Sequence, residues 1–451
     1  MKRVLFLAYL FPPILNSGTQ RPLKFAKYLS AYGWAPTVLT AANFDGYATD
    51  PELLRDIPPD VRVIRVPMLN ERIASWFRSA LGETIGGRLG DAISWRLRDR
   101  FRTPDMYALW KREVIRAALK VFNETGFDAI YATGFPWTSL LAGREIARLT
   151  NRPLVADFRD PWAREHLFID ERMAPEQELM MERWVVEDAH SVTSVSDGVA
   201  RLLAAGHPHL DESKFSGIHN GFDATDLPSR PPRQPGQPFR IVYTGVWKKG
   251  YDQSALYDSI EWLKRVQPEV LEGVEVVTAG YAPGEARRRG IDSIIKELGV
   301  VSHSEAVELM QTADVLFMGY TDPQRQWAVP GKLYEYLATG TPVLALTCAD
   351  GESAKIIREV GGAVVIPPED PGAFYGALAE ICRHKRLDVP QCNEKALARF
   401  ERRQLTGKLA ALLDDACYTT RSTGAGVSAA SPTRSTYAGA TSAQPATRVV
   451  S

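Results

Sequence analysis

Strand-like apolar runs alternate with helix-like stretches along this chain, the alternation stops at one proline-rich segment, and then it starts again. In the first half, residues 4–8, 36–41, 61–66, 129–133, 154–158 and 191–196 are short runs of apolar and β-branched side chains. Runs of that kind suit parallel strands covered on both faces. Helical patterns fill several of the gaps, at 21–32, 106–124, 137–149 and 175–188. The segment LPSRPPRQPGQP, residues 227–238, carries five prolines and no apolar period, and reads as a linker. Strands are then expected at 240–244, 274–279, 315–318, 343–346 and 363–366, with helices at 252–266, 304–311, 332–338 and 371–384. This is the βαβ pattern of doubly wound sheets, once on each side of a linker. The expected fold is therefore α/β, with two Rossmann-like lobes facing a cleft. The lobes span 1–226 and 239–390, a C-terminal helix over 391–417 is free to return to the first lobe, and 418–451 forms a disordered tail.

The charge balance removes some functions. Lys plus Arg and Asp plus Glu both number 54, so the chain lacks the positive excess of a general nucleic-acid binder. Four cysteines without a C-x-x-C pair speak for a reducing compartment, and a cytoplasmic protein is expected. No apolar run reaches the ~20 residues of a membrane span. The apolar start at residues 4–10 imitates a secretion signal, but it meets Pro12-Pro13 and reads as a buried strand. The chain has no D-x-D triplet. Its histidines lack metal spacing apart from His207-x-His209, so no metal site is expected.

Chemistry concentrates at strand ends. Residues 329–346 read VPGKLYEYLATGTPVLAL: Pro330-Gly331 opens a short helix, Gly340 and Pro342 close it, and a strand follows. A helix N-terminus offers free N–H groups and a positive dipole end to a phosphate, and Lys332 adds charge there. Glu335 shares a face with Lys332, where a carboxylate can take ribose hydroxyls. The plainer reading is a solvated i,i+3 ion pair, and spacing does not decide between the two. Gly18 follows the first strand in a loop without the G-x-G-x-x-G pattern. Arg159 and Asp160 end the fifth strand, where polar groups face a crevice. An arginine is no general base; it stabilises negative charge, orients Asp160, or only pairs with it to fix the loop. Thr244 and Gly245 begin a Gly-bounded loop holding Lys248 and Lys249. Gly221, in His219-Asn220-Gly221-Phe222-Asp223, is read as a turn glycine with positive φ.

These segments together resemble the large retaining GT-B glycosyltransferase family known as family 4. Glu335-Tyr336-Leu337-Ala338-Thr339-Gly340-Thr341-Pro342-Val343 matches the half of its donor signature in which the Glu binds ribose. Lys332-Leu333-Tyr334 before it is similar to a subgroup acting in bacterial polysaccharide assembly. The resemblance implies that the first lobe takes the acceptor and the second a nucleoside diphosphate sugar, used as substrate with no further cofactor. It implies donor contacts at Gly18, Thr244, Gly245, Lys248, Lys249, Val301, Lys332, Leu333 and Glu335. It places Arg159 and Asp160 at the catalytic position, where many members carry a histidine followed by aspartate. The acid that members often hold eight residues before the ribose Glu is Trp327 here. The implied reaction moves the sugar, with retention and without metal, to a saccharide or lipid-linked saccharide in cell-surface polysaccharide or glycolipid biosynthesis. A nucleotide-sugar epimerase of the same fold and a non-catalytic nucleotide-sugar-binding partner remain alternatives.

Residues 71–120 stand apart. They hold eleven Lys/Arg against six Asp/Glu, with Trp76, Trp95 and Trp110 among them. That composition suits an anionic membrane surface at the inner face of the plasma membrane. It also suits an ordinary helical insertion whose arginines cover apolar surface.

Overall fold

The computed structural model describes residues 1–43, 47–163, 175–227, 235–245, 254–280 and 284–424. Residues 228–234 of the expected linker, the loop residues Lys248 and Lys249, and the tail from 425 onward lie outside the described residues.

The first lobe is a seven-stranded parallel sheet. Its strands are β1 (Lys2–Leu7), β2 (Trp34–Ala41), β3 (Arg62–Val66), β4 (Ala129–Gly134), β5 (Leu154–Phe158), β6 (Ser191–Ser194) and β7 (Phe215–Gly217), in the order β3-β2-β1-β4-β5-β6-β7. The second lobe has six: β8 (Phe239–Thr244), β9 (Val274–Ala279), β10 (Ile295–Glu297), β11 (Val315–Tyr320), β12 (Val343–Thr347) and β13 (Ala363–Ile366), in the order β10-β9-β8-β11-β12-β13. All strand pairs named between them are parallel. In both sheets the order reverses beside the first strand of the lobe, where an α/β sheet opens its ligand crevice.

Alternation along each strand explains why both sheets are covered on both faces. Leu5 and Leu7 enter one apolar cluster while Val4 and Phe6 enter another. In the second lobe Val315 and Phe317 face one cluster, Leu316 and Met318 the other. The helices of the first lobe are α1 (Ser17–Tyr28), α2 (Leu69–Leu81), α3 (Gly87–Arg100), α4 (Trp110–Thr125), α5 (Trp137–Thr150), α6 (Pro175–Asp188) and α7 (Asp197–Gly206). Those of the second are α8 (Ser254–Val266), α9 (Glu285–Arg288), α10 (His303–Thr312), α11 (Gly331–Ala338), α12 (Glu352–Val360), α13 (Pro371–His384) and α14 (Glu394–Ala398). Many begin on side-chain caps that the local sequence supplies: Asn16 on α1, Ser196 on α7, Ser302 with Glu305 on α10, Asp370 on α13.

The last helix, α15 (Arg402–Gly424), leaves the second lobe and packs on the first. Phe400 belongs to a second-lobe cluster; Leu405, Leu409 and Leu413 join Val4 and Phe6. Phe222 N donates to Phe400 O at 3.2 Å and Arg402 N to Phe222 O at 2.8 Å, so the two crossings of the chain are paired. Gly221 is needed here for approach: a Cβ would lie 1.9 Å from Phe400 O. It is not among the positive-φ glycines, which corrects the turn expected from sequence. The helix also continues through Gly424, so 418–424 is helical rather than the start of a disordered tail.

Candidate active site

Residues that follow strand C-termini in the two lobes meet each other. Ser196, after β6, caps α7 and donates its hydroxyl to Trp327 O at 2.7 Å. Arg201 Nη2 reaches Glu352 Oε1 at 2.8 Å, and Ser304 Oγ donates to Glu52 Oε2 at 2.7 Å. The cleft between the sheets is thus bounded by direct lobe-to-lobe bonds.

On the second lobe, α11 brings Lys332 and Glu335 to the end of β8. Tyr336 OH accepts Thr244 N at 2.8 Å, and the two hydroxyls lie 3.1 Å apart, which clips the helix to that strand end. Lys332 Nζ lies 3.8 Å from the centre of the Tyr243 ring, a cation–π distance. Gly245 makes room for it: its φ is +139° and a Cβ would sit 2.2 Å from Nζ. Pro330 precedes the helix with no side-chain cap, which leaves the first turn open to an anion. Glu335 Oε1 is 3.1 Å from His303 Nε2. Burial would raise the Glu335 carboxyl, but the His303 hydrogen bond and charge outweigh it and hold it below its ordinary value. Burial would lower the His303 imidazole, and Glu335 raises it instead. Val301, half-buried, leads into the Ser302 cap of this helix start. Leu333 is fully buried in an apolar cluster of this lobe.

On the first lobe Gly18 lies against Arg159. A Cβ at position 18 would be 1.8 Å from Arg159 Nη1. Arg159 donates from its backbone N and from Nε to Gly134 O, both at 3.0 Å, and from Nη2 to Phe135 O. Its hydrogen bonds therefore bind the β4 and β5 ends together, with Asp160 near enough to act on it by charge.

Sequence reading passed over the buried acid of this lobe. Asp157, inside β5, takes a bidentate pair from Arg21 (3.0 and 2.7 Å) and hydroxyls from Tyr131, Thr133 and Thr193 at 2.7, 2.8 and 2.8 Å. Arg21 also donates to Ile218 O and His219 O. Burial would raise Asp157, yet Arg21 and the hydroxyls keep it below its ordinary value. Asp157 was visible only as a strand residue, because its partners come from three other elements, α1, β4 and β6. Arg402 was also unmarked. It is buried at the lobe crossing, pushed down to about 10 by burial and by Arg21, and Nη1 has no hydrogen-bond partner among the described residues. Among the described residues one group of carboxylates, Asp56, Asp223 and Asp226, is close enough to share an ion. The Lys24 ammonium lies among them, 2.9 Å from Asp223 and 2.8 Å from Asp226, with Lys27 beside it.

Two facing Rossmann-like lobes, a helix N-terminus with a lysine, and an acid one turn on define a GT-B nucleotide-dependent enzyme class. Family comparison agrees. Residues 18–221 match the glycosyl transferase 4-like domain and residues 239–384 match the glycosyl transferases group 1 model. This chain belongs to the GT-B glycosyltransferases of the family 4-like kind, and it is a transferase. Comparison with curated proteins finds no match. Among solved structures, HepE of Anabaena in complex with UDP is similar at a TM-score of 0.57 and 16% identity, over 92% of this chain and 100% of that one. Sucrose-phosphate synthase of Thermosynechococcus elongatus is similar at 0.57 and 14%, over 94% and 98%. A putative UDP-N-acetylglucosamine 2-epimerase of Listeria monocytogenes is similar at 0.52 and 15%, over 92% and 96%. At these identities the likeness concerns the fold.

Proposed function

We propose that this glycosyltransferase moves a sugar from a nucleoside diphosphate sugar to a saccharide or lipid-linked saccharide, with retention and without a metal. We place the reaction in cell-surface polysaccharide or glycolipid assembly at the cytoplasmic face of the membrane. The observation that carries the donor assignment is the juxtaposition of Lys332, Glu335 and the Gly245 strand end on one side of the cleft. The first turn of α11 and Lys332 would take the diphosphate, with Lys248 and Lys249 adding charge. Glu335 would take the ribose hydroxyls through the oxygen not engaged by His303, or by displacing it. Charge that develops on the leaving diphosphate then meets fixed cations and N–H groups, the usual source of catalysis where charge moves onto oxygen. The UDP complex of HepE supports a nucleoside diphosphate in such a cleft.

Glu335→Ala should weaken nucleotide diphosphate binding at least about tenfold, because hydrogen bonds to a charged group are worth about 1.5–3 kcal/mol each. Calorimetric titration with UDP, GDP, ADP and TDP measures it, and an unchanged affinity would sink the ribose assignment. Product analysis with a donor sugar separates transfer from epimerisation.

A further inference from the structure

Helices α2 and α3 form an antiparallel hairpin between β3 and α4, and none of residues 69–102 joins an apolar cluster of the lobe. The hairpin holds itself together. Gly86 and Gly90 let the helices touch, since a Cβ at Gly86 would lie 2.1 Å from Phe77 O and one at Gly90 2.9 Å from Ala74 O. Asn70 Nδ2 donates to Ser94 Oγ at 2.8 Å near its base, and Arg78 pairs with Asp91 nearer its tip. It leaves large apolar side chains outside. Ile85 is 69% exposed at the turn, with Leu81 and Leu89 exposed on either side of it. Trp76 and Trp95 are 64% and 68% exposed along the two arms. The segment 69–102 carries seven arginines against four acids.

The geometry points to this hairpin as a membrane-docking element that enters the interface of an anionic lipid bilayer. Three exposed aliphatic side chains at and beside the turn, flanked by tryptophans and arginines, match the layers of a bilayer: the acyl boundary for Leu81, Ile85 and Leu89, the headgroup boundary for the indoles, anionic headgroups for the guanidinium groups. Apolar side chains that surround the end of a hairpin suit a fluid that closes around them better than a flat partner surface. Placement gives the docking a purpose. Leu69 N, at the start of α2, donates to Leu109 O at 3.4 Å, and the Tyr107 ring two residues before that carbonyl lies 5.9 Å from the ring of Phe135, whose carbonyl accepts from Arg159. The hairpin base therefore borders the first-lobe side of the cleft, where a lipid-linked acceptor would arrive from the bilayer. This rests on the reading of the acceptor as lipid-linked.

Full-length protein should co-float with phosphatidylcholine vesicles containing phosphatidylglycerol, and much less with phosphatidylcholine alone. The combined change Leu81→Ser, Ile85→Ser and Leu89→Ser should lower vesicle partitioning about tenfold or more, given the apolar area withdrawn. Arg88→Glu with Arg96→Glu is a second, independent variant and should weaken binding to anionic vesicles selectively. Donor hydrolysis in solution, measured on the same preparations, should be unchanged in both. Absence of vesicle binding by the parent protein, equal binding to neutral vesicles, or equal binding by the Ser variant overturns the inference. So does a parent dimer that the Ser variant converts to monomer, which would make the hairpin a self-association surface. Loss of vesicle binding with donor hydrolysis intact leaves the transferase reading standing. Vesicle binding by a protein without donor hydrolysis or transfer would sink the proposed reaction and leave the docking surface.

Discussion

Asp157 shows what a single residue carries in this fold. It is fully buried and satisfied by one guanidinium and three hydroxyls. Asp157→Asn keeps the shape but removes the charge that holds Arg21, itself buried. Breaking one side of such a pair leaves the other charge uncompensated, at a cost of about 3–5 kcal/mol. Urea unfolding should therefore shift to a markedly lower midpoint, and an unfolding free energy within about 0.5 kcal/mol of the parent's would refute the buried-pair account. Glu335 was legible in the sequence because its helix, its closing Gly340 and its preceding Lys332 lie within one local run. Asp157 was not, since its four partners come from α1, β4 and β6, and no local pattern joins residue 21 to residue 157. Arg159 and Asp160, chosen by position, proved adjacent to the acid that the lobe actually buries. Lys248 and Lys249 fall outside the described residues.

At the scale of elements, α10 and α11 are coupled by one ion pair that neither helix advertises. The resemblance marked Val301, just before α10, as a donor contact and Glu335 in α11 as the ribose contact, without joining them. His303 and Glu335 meet because β10 and β11 bring both helix starts to the same sheet end. The His303 imidazole is raised above its ordinary value of 6.5, so its stabilising contribution is complete below that pH and fades as pH rises through the raised value. Glu335 is lowered from 4.5, so its contribution is present above that pH and is lost as pH falls through the lowered value. The difference in melting temperature between the parent and His303→Gln should be largest from about pH 4.5 to 6.5 and shrink above it. A difference that stays level through pH 8 would contradict the pairing. Most strands were readable from apolar runs, whereas β7 and β10 escaped notice. Each has three residues at a sheet edge, too short for any period to register. The α2–α3 hairpin was visible only as composition, because its helices pack on each other rather than on the sheet and no strand alternation brackets them.

For the whole molecule, the decisive contact is where α7 of the first lobe meets the loop after β11 of the second. Gly198 sits in the first turn of α7, and a Cβ there would lie 2.8 Å from Trp327 O, 2.9 Å from Trp327 Cα and 2.9 Å from Glu352 Cγ. Two of these atoms are backbone, which cannot swing aside as a side chain can. Ser196 grips the same Trp327 carbonyl, so the two lobes are joined and spaced at one point. Trp327 stands where related chains often carry an acid, and its side chain packs against the first-lobe core. This position thus joins the two lobes through main-chain and apolar contact. Gly198→Val should prop the lobes apart while leaving each sheet intact. The radius of gyration from solution scattering should rise with an unchanged circular dichroism spectrum. Nucleotide affinity should hold, because Lys332, Glu335 and Gly245 all belong to the second lobe. Transfer, which needs groups from both lobes in register, should fall by about a hundredfold, the scale of a misplacement near 1 Å. Loss of nucleotide affinity in step with transfer would instead mean that the donor is held from both lobes at once, and that the first-lobe loop at Gly18 and Arg159 belongs to the binding step.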